Sequence, residues 1–411
     1  MDLRIYPPEK ACADIVLPMS KSITNRALVI AALCGNVPRV ISPALCDDTV
    51  AVMNALDTAD EVIDVGPAGT AMRFLTAYFA TCRGRVVTLD GNERMRQRPI
   101  APLVDALRQM GADIDYLGQV GYPPLRIAGT VLHGGHVEMD GSVSSQFASA
   151  VMMILSVAGG GTLHLHGDIV SAPYIRLTAD VMRQMGGRVT LLDDEIVVGE
   201  GYAGGDCVVE TDWSAAAPWY ALAALMPAST FTLRGLTGRS LQGDARLADM
   251  ASQLGIVSRF DAQGVTLDTS HFIGCCCSCF VDMAATPDLV LSWAVLMCLL
   301  ERSFRMTGVR TLRHKESDRL EAMQQELSKL GYVLKIDSED AISWYGERVA
   351  PAMLPPVIDT HGDHRMAMAF APAAVRFPGL VIGDAGVVDK SYPAFWRHLE
   401  QAGFTITGLA Q

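Results

Sequence analysis

Cationic and hydroxyl side chains gather at particular places in this chain, and the places follow one rule. PMSKSITNRAL puts Lys21, Ser22 and Arg26 at the start of an apolar run, and GPAGTAMRFL puts Gly69 at the start of the next. DGSVSSQF offers Ser144, Ser145 and Gln146 as hydrogen-bond donors ahead of a third. Arg98 in RQRPI and Arg365 in GDHRMAM each precede an apolar helix pattern, and HKESDRL sets Lys315, Glu316 and Arg319 together. Helix amino termini carry unpaired N–H groups and the positive end of the helix dipole, so such starts favour phosphate and carboxylate groups. Arginine adds a planar fork that pairs bidentately with either anion, whereas lysine acts as a point charge. Taken one at a time, these features carry little. Lys-Ser-x-x-Asn-Arg is also an ordinary solvated helix start, a glycine before a helix is commonly a cap, and an N-cap serine needs no ligand. His364 alone reads as a satisfied structural histidine.

The elements that must position these residues repeat. An amphipathic helix, a glycine and a strand recur at PLVDALRQMG, RLTADVMRQMGG, RLADMASQLG, RLEAMQQELSKLG and FWRHLEQAG. Their glycines, Gly111, Gly186, Gly255, Gly331 and Gly403, differ in number by 75, 69, 76 and 72. Each sits where a helix takes a left-handed C′ residue. In the fourth copy Leu320, Met323, Leu327 and Leu330 share one helical face. A second set of helices alternates with the first, starting near Ser22, Thr70, Ser145, Asp212, Thr286 and Asp363. Segments such as SSQFASAVMMIL and PDLVLSWAVLMCLL are apolar nearly all round, which marks central helices. The second starts differ by 48, 75, 67, 74 and 77, so one copy has lost roughly 25 residues around Asp57 to Asp64. At 411 residues the chain is too long for one ordinary domain, and the pattern is six units, three in each of two domains.

Half of the residues are hydrophobic and 19% are charged, so the chain can bury large cores and is not a disordered polymer. A net charge of -12 opposes non-specific binding to nucleic acid or anionic membranes, but not a local cationic cluster for a small anion. The start MDLRIYPPEK has no basic segment leading into an apolar run, so no secretory signal is expected. The apolar runs 147–163 and 289–300 are broken by glycines or too short to span a bilayer. Cys275, Cys276, Cys277 and Cys279 crowd together, and Cys276 and Cys279 have the spacing of half a zinc site. A structural zinc site needs four ligands, and no second Cys-x-x-Cys pair or His partner is evident. Apolar filler in a strand, in a reducing cytoplasm, accounts for them.

The deciding signal is order. KSxxNR, AGTAMR, RPI, GSVSSQF, PYI, TPD, KESDR, DHRMAM and DKSYP follow one another over almost the whole chain. In this the sequence resembles the enolpyruvyl transferases, and among them the shikimate-pathway branch, the EPSP synthases. The resemblance implies an α/β fold of two domains, each with three βαβαββ-type units in a pseudo-threefold arrangement. Residues 13–209 would form the amino-terminal domain, and residues 1–12 with 210–411 the carboxy-terminal one. It implies transfer of the enolpyruvyl (carboxyvinyl) group of phosphoenolpyruvate to the 5-hydroxyl of shikimate 3-phosphate, releasing phosphate. That reaction needs a base for the hydroxyl, an acid for the enol methylene, and cations for the anionic groups. Neither a metal nor a redox cofactor is implied, and no metal motif appears.

By the same resemblance, shikimate 3-phosphate meets Lys21, Ser22, Arg26, Ser144, Ser145, Gln146, Ser171, Tyr174, Asp288 and Lys315. Phosphoenolpyruvate meets Lys21, Gly69, Arg98, Gln146, Arg319, Arg365 and Lys390. Asp288 matches the carboxylate that takes the hydroxyl proton and Glu316 the one that serves the methylene, while Lys21 and Lys390 supply charge and protons. Because the binding residues come from both domains, closure about a hinge is expected. The expected protein is a cytoplasmic monomer with no nucleic-acid or membrane partner. Three positions depart from the pattern: Pro67 and Thr311 stand where the family usually has Asn, and Phe74 where it usually has Pro.

Two other readings compete. The sister enzymes that transfer enolpyruvate to UDP-N-acetylglucosamine usually carry a reactive Cys before their Arg-Pro, and GNERMRQRP has none. A non-catalytic repeat scaffold explains the repeats, but not the recurrence of Lys21, Arg98, Asp288, Glu316, Arg319, Arg365 and Lys390 at helix starts. Gly69 matches the glycine that leaves room for glyphosate in sensitive members of the family. Glyphosate is therefore expected to compete with phosphoenolpyruvate, and Gly69→Ala to weaken the inhibitor more than the substrate. Inhibition and saturation kinetics on that variant check this, and equal losses for both would reject the steric account.

Overall fold

The computed structural model describes residues 1–35, 39–272, 279–351 and 353–409. Cys275, Cys276 and Cys277 lie outside the described residues, and Cys279 opens the strand Cys279–Asp282. The chain divides into two compact units, one of residues 19–210 and one of residues 1–18 with 211–411. The first changeover between these units falls after Pro18. Its cause is the strand Cys12–Val16, which pairs in parallel with Thr230–Arg234, from Cys12↔Thr230 to Val16↔Arg234.

In residues 19–210 the helices are α1 (Lys21–Leu33), α2 (Asp47–Asp57), α3 (Gly69–Thr81), α4 (Ala101–Gln109), α5 (Ser145–Leu155) and α6 (Ala172–Gln184). The apolar helices α1, α3 and α5 pack on one another. Every residue of α5 except Gln146 is buried, which a helix apolar all round requires. The amphipathic α4 buries only Leu103, Val104, Ala106 and Leu107. Two four-stranded sheets run in the order Val62–Asp64, Val86–Asp90, Leu125–Ala128, Asp113–Tyr116 and in the order Gly187–Leu191, Glu195–Tyr202, Gly161–His166, Gly135–Asp140. Among the described residues the remaining sheet has two strands, Val40–Ile41 and Cys207–Val208. Its copy is the short one. The strand Val62–Asp64 follows α2 directly, whereas after α4 the antiparallel strands Asp113–Tyr116 and Leu125–Ala128 come before Gly135–Asp140.

The other unit contains α7 (Ala217–Leu225), α8 (Leu247–Ser252), α9 (Val290–Leu299), α10 (Arg319–Lys329), α11 (His364–Phe370) and α12 (Phe395–Gln401). Among the described residues its strands form three four-stranded sheets. Here α7, α9 and α11 pack on one another, and all of α7 is buried. The unit is thus α/β with the same helix–strand repeat as the first. The helices α1, α3, α5 and α11 begin within one residue of the starts read from the sequence. At Asp212 and Thr286 the chain first makes short 3-10 turns, Ser214–Ala216 and Pro287–Leu289, before α7 and α9. Asp212 Oδ1 accepts the Ser214 N–H at 2.9 Å, a local bond that competes with the first α-helical turn. Among the described residues no helix is long and apolar enough to cross a membrane.

The five helix-ending glycines are left-handed, with φ of 94° at Gly111, 85° at Gly186, 80° at Gly255, 88° at Gly331 and 99° at Gly403. A Cβ on Gly111 would find its nearest neighbour at 3.9 Å, but on Gly186 it would meet the Gly204 backbone at 2.6 Å. Gly111→Ala should therefore cost only the left-handed strain of about 1–2 kcal/mol. Gly186→Ala should cost distinctly more, and urea unfolding of the two variants checks the order.

Candidate active site

In residues 19–210 the site is built from helix starts. Lys21, the first residue of α1, sets its Nζ 2.9 Å from Asp48 Oδ2, and both side chains are largely buried. One turn on, Arg26 is buried and donates Nε to Thr178 Oγ1 at 2.7 Å, Nη1 to the Ser22 carbonyl at 2.8 Å and Nη2 to Ser149 Oγ at 3.2 Å. Its guanidinium also lies 5.2 Å from the Phe74 ring centre and 5.9 Å from that of Tyr174. Burial pulls the Arg26 pKa down to about 10, against the attraction of Tyr174. The cation survives this burial because hydrogen bonds and two π faces replace water. Phe74, a departure from the family pattern, is thus the floor under Arg26.

Gly69 opens α3 and is backed by two guanidinium groups. A Cβ there would lie 2.6 Å from Arg98 Nη1, 2.9 Å from Arg98 Nη2 and 2.8 Å from Arg73 Nη1. Arg73 Nη1 donates back to the Gly69 carbonyl at 3.0 Å, so the missing side chain is what lets both cations reach the helix start. Gln146 Nε2 donates to Thr70 Oγ1 at 3.2 Å and ties the start of α5 to that of α3. Ser144 caps α5 by accepting the Gln146 N–H, and Ser145 is buried beside it. Ser171 precedes α6 in a left-handed conformation with φ of 55°, and Tyr174 follows it half-buried. Two arginines and a helix dipole at one place are suited to an anion.

In the other unit Arg319 is the centre. Its side chain is 1% exposed and is engaged on every nitrogen. Nε donates to Asp363 Oδ2 at 2.7 Å, Nη1 to Asp288 Oδ1 at 3.1 Å, and Nη2 to Glu316 Oε2 at 2.9 Å and Asp363 Oδ1 at 3.3 Å. Burial alone would lower the Arg319 pKa; Asp363, Glu316 and Asp288 overturn that and raise it well above its usual value. Arg365 Nη2 holds the other oxygen of Asp288 at 2.9 Å, and Lys390 Nζ stands 3.8 Å from Glu316 Oε1. Asp288, Glu316, Arg319, Arg365 and Lys390 therefore form one network. Lys315 is half-buried on the turn that leads into α10. The guanidinium of Arg319, expected from the sequence to meet phosphoenolpyruvate, pairs here with Asp288, Glu316 and Asp363 and so orients the Asp288–Glu316 pair.

Four participants escaped the sequence reading: Asp48, Arg73, Asp244 and Asp363. Asp363 was legible only as a cap, and it does accept the Arg365 N–H at 2.9 Å at the start of α11, while its carboxylate also grips Arg319. Asp244 is buried and accepts the Ser214 hydroxyl. Burial first, then the neighbouring Asp288 carboxylate, push its pKa up to about 7, against Arg365 and the Ser214 bond. Nothing in CDDT or QGDAR marks either aspartate, because their significance lies in partners distant along the chain.

A family model described as EPSP synthase (3-phosphoshikimate 1-carboxyvinyltransferase) matches residues 54–399. The chain belongs to the EPSP synthase family. The 3-phosphoshikimate 1-carboxyvinyltransferase of Bacteroides fragilis (strain YCH46) is 45% identical over 403 residues, covering 97% of each chain. That of Vibrio atlanticus is 34% identical over 441 aligned residues, covering 97% of this chain and 98% of its own. Among solved structures, EPSP synthase from Acinetobacter baumannii has a similar fold, with a TM-score of 0.73, 20% identity, and 99% of this chain and 100% of that one covered. The enolpyruvyl transferase NikO from Streptomyces tendae gives a TM-score of 0.74 at 14% identity, over 99% of this chain and 98% of that one. The order of motifs and the α/β repeat thus led to the right family. Within EPSP synthases the departures fall unequally, since Pro67 is exposed on the turn before α3 whereas Phe74 is wholly buried.

The Asp244 carboxyl holds its proton more tightly in the folded chain than its ordinary value of 3.8 allows when unfolded. Its contribution to stability is complete below about pH 4 and is lost as pH rises to about 7. Asp244→Asn removes that dependence, so the variant should gain stability relative to wild type across this window and nothing further above it. Urea unfolding at a series of pH values reads the difference, and a constant offset would reject the assignment.

Proposed function

We propose that the chain transfers the enolpyruvyl group of phosphoenolpyruvate to the 5-hydroxyl of shikimate 3-phosphate, releasing phosphate, as a 3-phosphoshikimate 1-carboxyvinyltransferase. The observation that carries this is the Asp288–Arg319–Glu316 network in a member of the EPSP synthase family. The substrate oxygen adds to the enol carbon while a proton goes to the methylene. Loss of phosphate, with a proton returned from the methyl group, restores the vinyl ether. Asp288, held between Arg319 and Arg365, takes the hydroxyl proton; Glu316, held between Arg319 and Lys390, serves the methylene. Two carboxylates with different cationic partners can hold different protonation states, which this exchange needs.

In this reading Ser22, Arg26, Ser144, Ser145, Gln146, Ser171, Tyr174 and Lys315 hold shikimate 3-phosphate. Lys21, Gly69, Arg98, Arg319, Arg365 and Lys390 hold phosphoenolpyruvate, with Gln146 and Lys21 touching both ligands. The crowding of Arg98 and Arg73 on Gly69 supports the second group, and the helix starts at Lys21, Ser145 and Ala172 support the first. Fixed cations hold two like-charged reactants together in a way that solvent does poorly. The reading takes the two compact units as the two domains, and the protein as a cytoplasmic monomer that needs no cofactor.

Phosphate release is the test, measured with both substrates in chelated buffer for wild type and Asp288→Asn. Release should require both substrates and fall by about 10²–10⁴-fold in the variant, the usual worth of a positioned general base. Absence of release from folded wild-type protein would overturn the function.

A further inference from the structure

The turn between Val357–Ile358 and α11 leads into Asp363 and Arg365, and its backbone is not one that most residues adopt unaided. His361 is left-handed with φ of 50°, and Gly362 follows it at 67°. Asp359 Oδ1 accepts the His361 N–H at 2.7 Å. Glycine takes such a conformation freely, but a histidine there is strained and persists only where its surroundings impose it. Here they centre on Glu326. Its carboxylate is buried, with Oε1 accepting from His361 Nε2 at 2.9 Å. Oε2 accepts the Asp359 N–H at 2.9 Å and Lys329 Nζ at 2.6 Å. A carboxylate oxygen only accepts, so His361 carries its proton on Nε2. Glycine would fit this backbone without strain, so the bond made by the imidazole is what a histidine adds.

Glu326 stands seven residues after Arg319 in α10, on the same face of the helix. That face therefore grips the turn at two places. Arg319 takes Asp363 with Nε at 2.7 Å, and two helical turns on Glu326 takes Asp359 and His361. Between these places the Asp363 N–H closes on the Thr360 carbonyl at 2.8 Å. A turn tied at one end can rock about that tie, whereas one tied at both is fixed. What depends on it is Arg365, whose Nη2 must lie 2.9 Å from Asp288 Oδ2. A misplacement of about 1 Å at such a group is enough to cost a large part of the rate. We propose that His361 is a positioning residue for enolpyruvyl transfer, tying the turn to Glu326 so that Asp363 meets Arg319 and Arg365 meets Asp288. The inference rests on the roles given above to Asp288 and Arg365.

Phosphate-release kinetics and thermal melting of His361→Gly and His361→Gln test this. Glycine deletes the bond and relieves the left-handed strain together, and Glu326 keeps Lys329 and the Asp359 N–H, so this variant should fold. Glutamine carries an amide nitrogen that can donate where Nε2 does, on a backbone no less strained than that of histidine. His361→Gly should lower kcat/KM for phosphoenolpyruvate by about tenfold or more while melting close to wild type. His361→Gln should recover most of that loss although it melts no higher than the glycine variant. A role in stability alone would make activity follow melting temperature, and here the two orders cross. Wild-type kcat/KM in His361→Gly, or a glutamine variant no more active than the glycine one, would overturn the inference alone. Wild-type protein that releases no phosphate would overturn the proposed function and this inference with it.

Discussion

Arg319 is a full positive charge with 1% of its side chain exposed, and it stays charged because Asp363, Asp288 and Glu316 surround it. A buried guanidinium needs partners that replace its water, and removing one member of a buried ion pair typically costs about 3–5 kcal/mol. The carboxy-terminal network depends on that constraint. Asp288 comes from the turn before α9, Glu316 from the turn before α10 and Asp363 from the cap of α11, so one cation fixes three helix starts. The same cation holds two carboxylates where acid–base chemistry can use them, while Arg365 and Lys390 give each a different second partner.

The amino-terminal unit solves a similar problem by other means. Arg26 is buried among hydroxyls, a carbonyl and two aromatic rings rather than carboxylates, and its pKa moves down rather than up. Burial dominates where the partners are neutral; Coulombic attraction dominates where they are charged. A cation held by neutral groups keeps its charge for an anionic ligand, whereas one ringed by carboxylates mainly orders them. The two arginines stand in unlike surroundings although each was marked, in sequence, by the same sign: a basic residue at a helix start.

The repeat explains where these groups stand. Three apolar helices pack on one another in each unit, which leaves their starts at corresponding places. Helix starts concentrate N–H groups and positive dipole ends, so repetition of one local fold multiplies one local chemistry. The short copy, with a two-stranded sheet, still supplies α1 and α2 and hence Lys21 and Asp48.

The sequence by itself determined the periodicity, the apolar and amphipathic helix sets, the left-handed glycines that end helices, and the family. These are local or ordered along the chain, so one strand of text contains them. It marked Lys21, Arg26, Asp288, Glu316, Arg319 and Arg365 by type and motif, but not their partners. Only the tertiary structure decided that Asp48 meets Lys21, that Asp363 both caps a helix and grips Arg319, and that the charge of Asp288 helps raise the pKa of Asp244. It also paired the strand Cys12–Val16 with Thr230–Arg234, and replaced two expected α-helix starts by 3-10 turns. The reason is the same in each case. A carboxylate's role is set by which charge it is buried against, and that charge sits tens or hundreds of residues away in sequence.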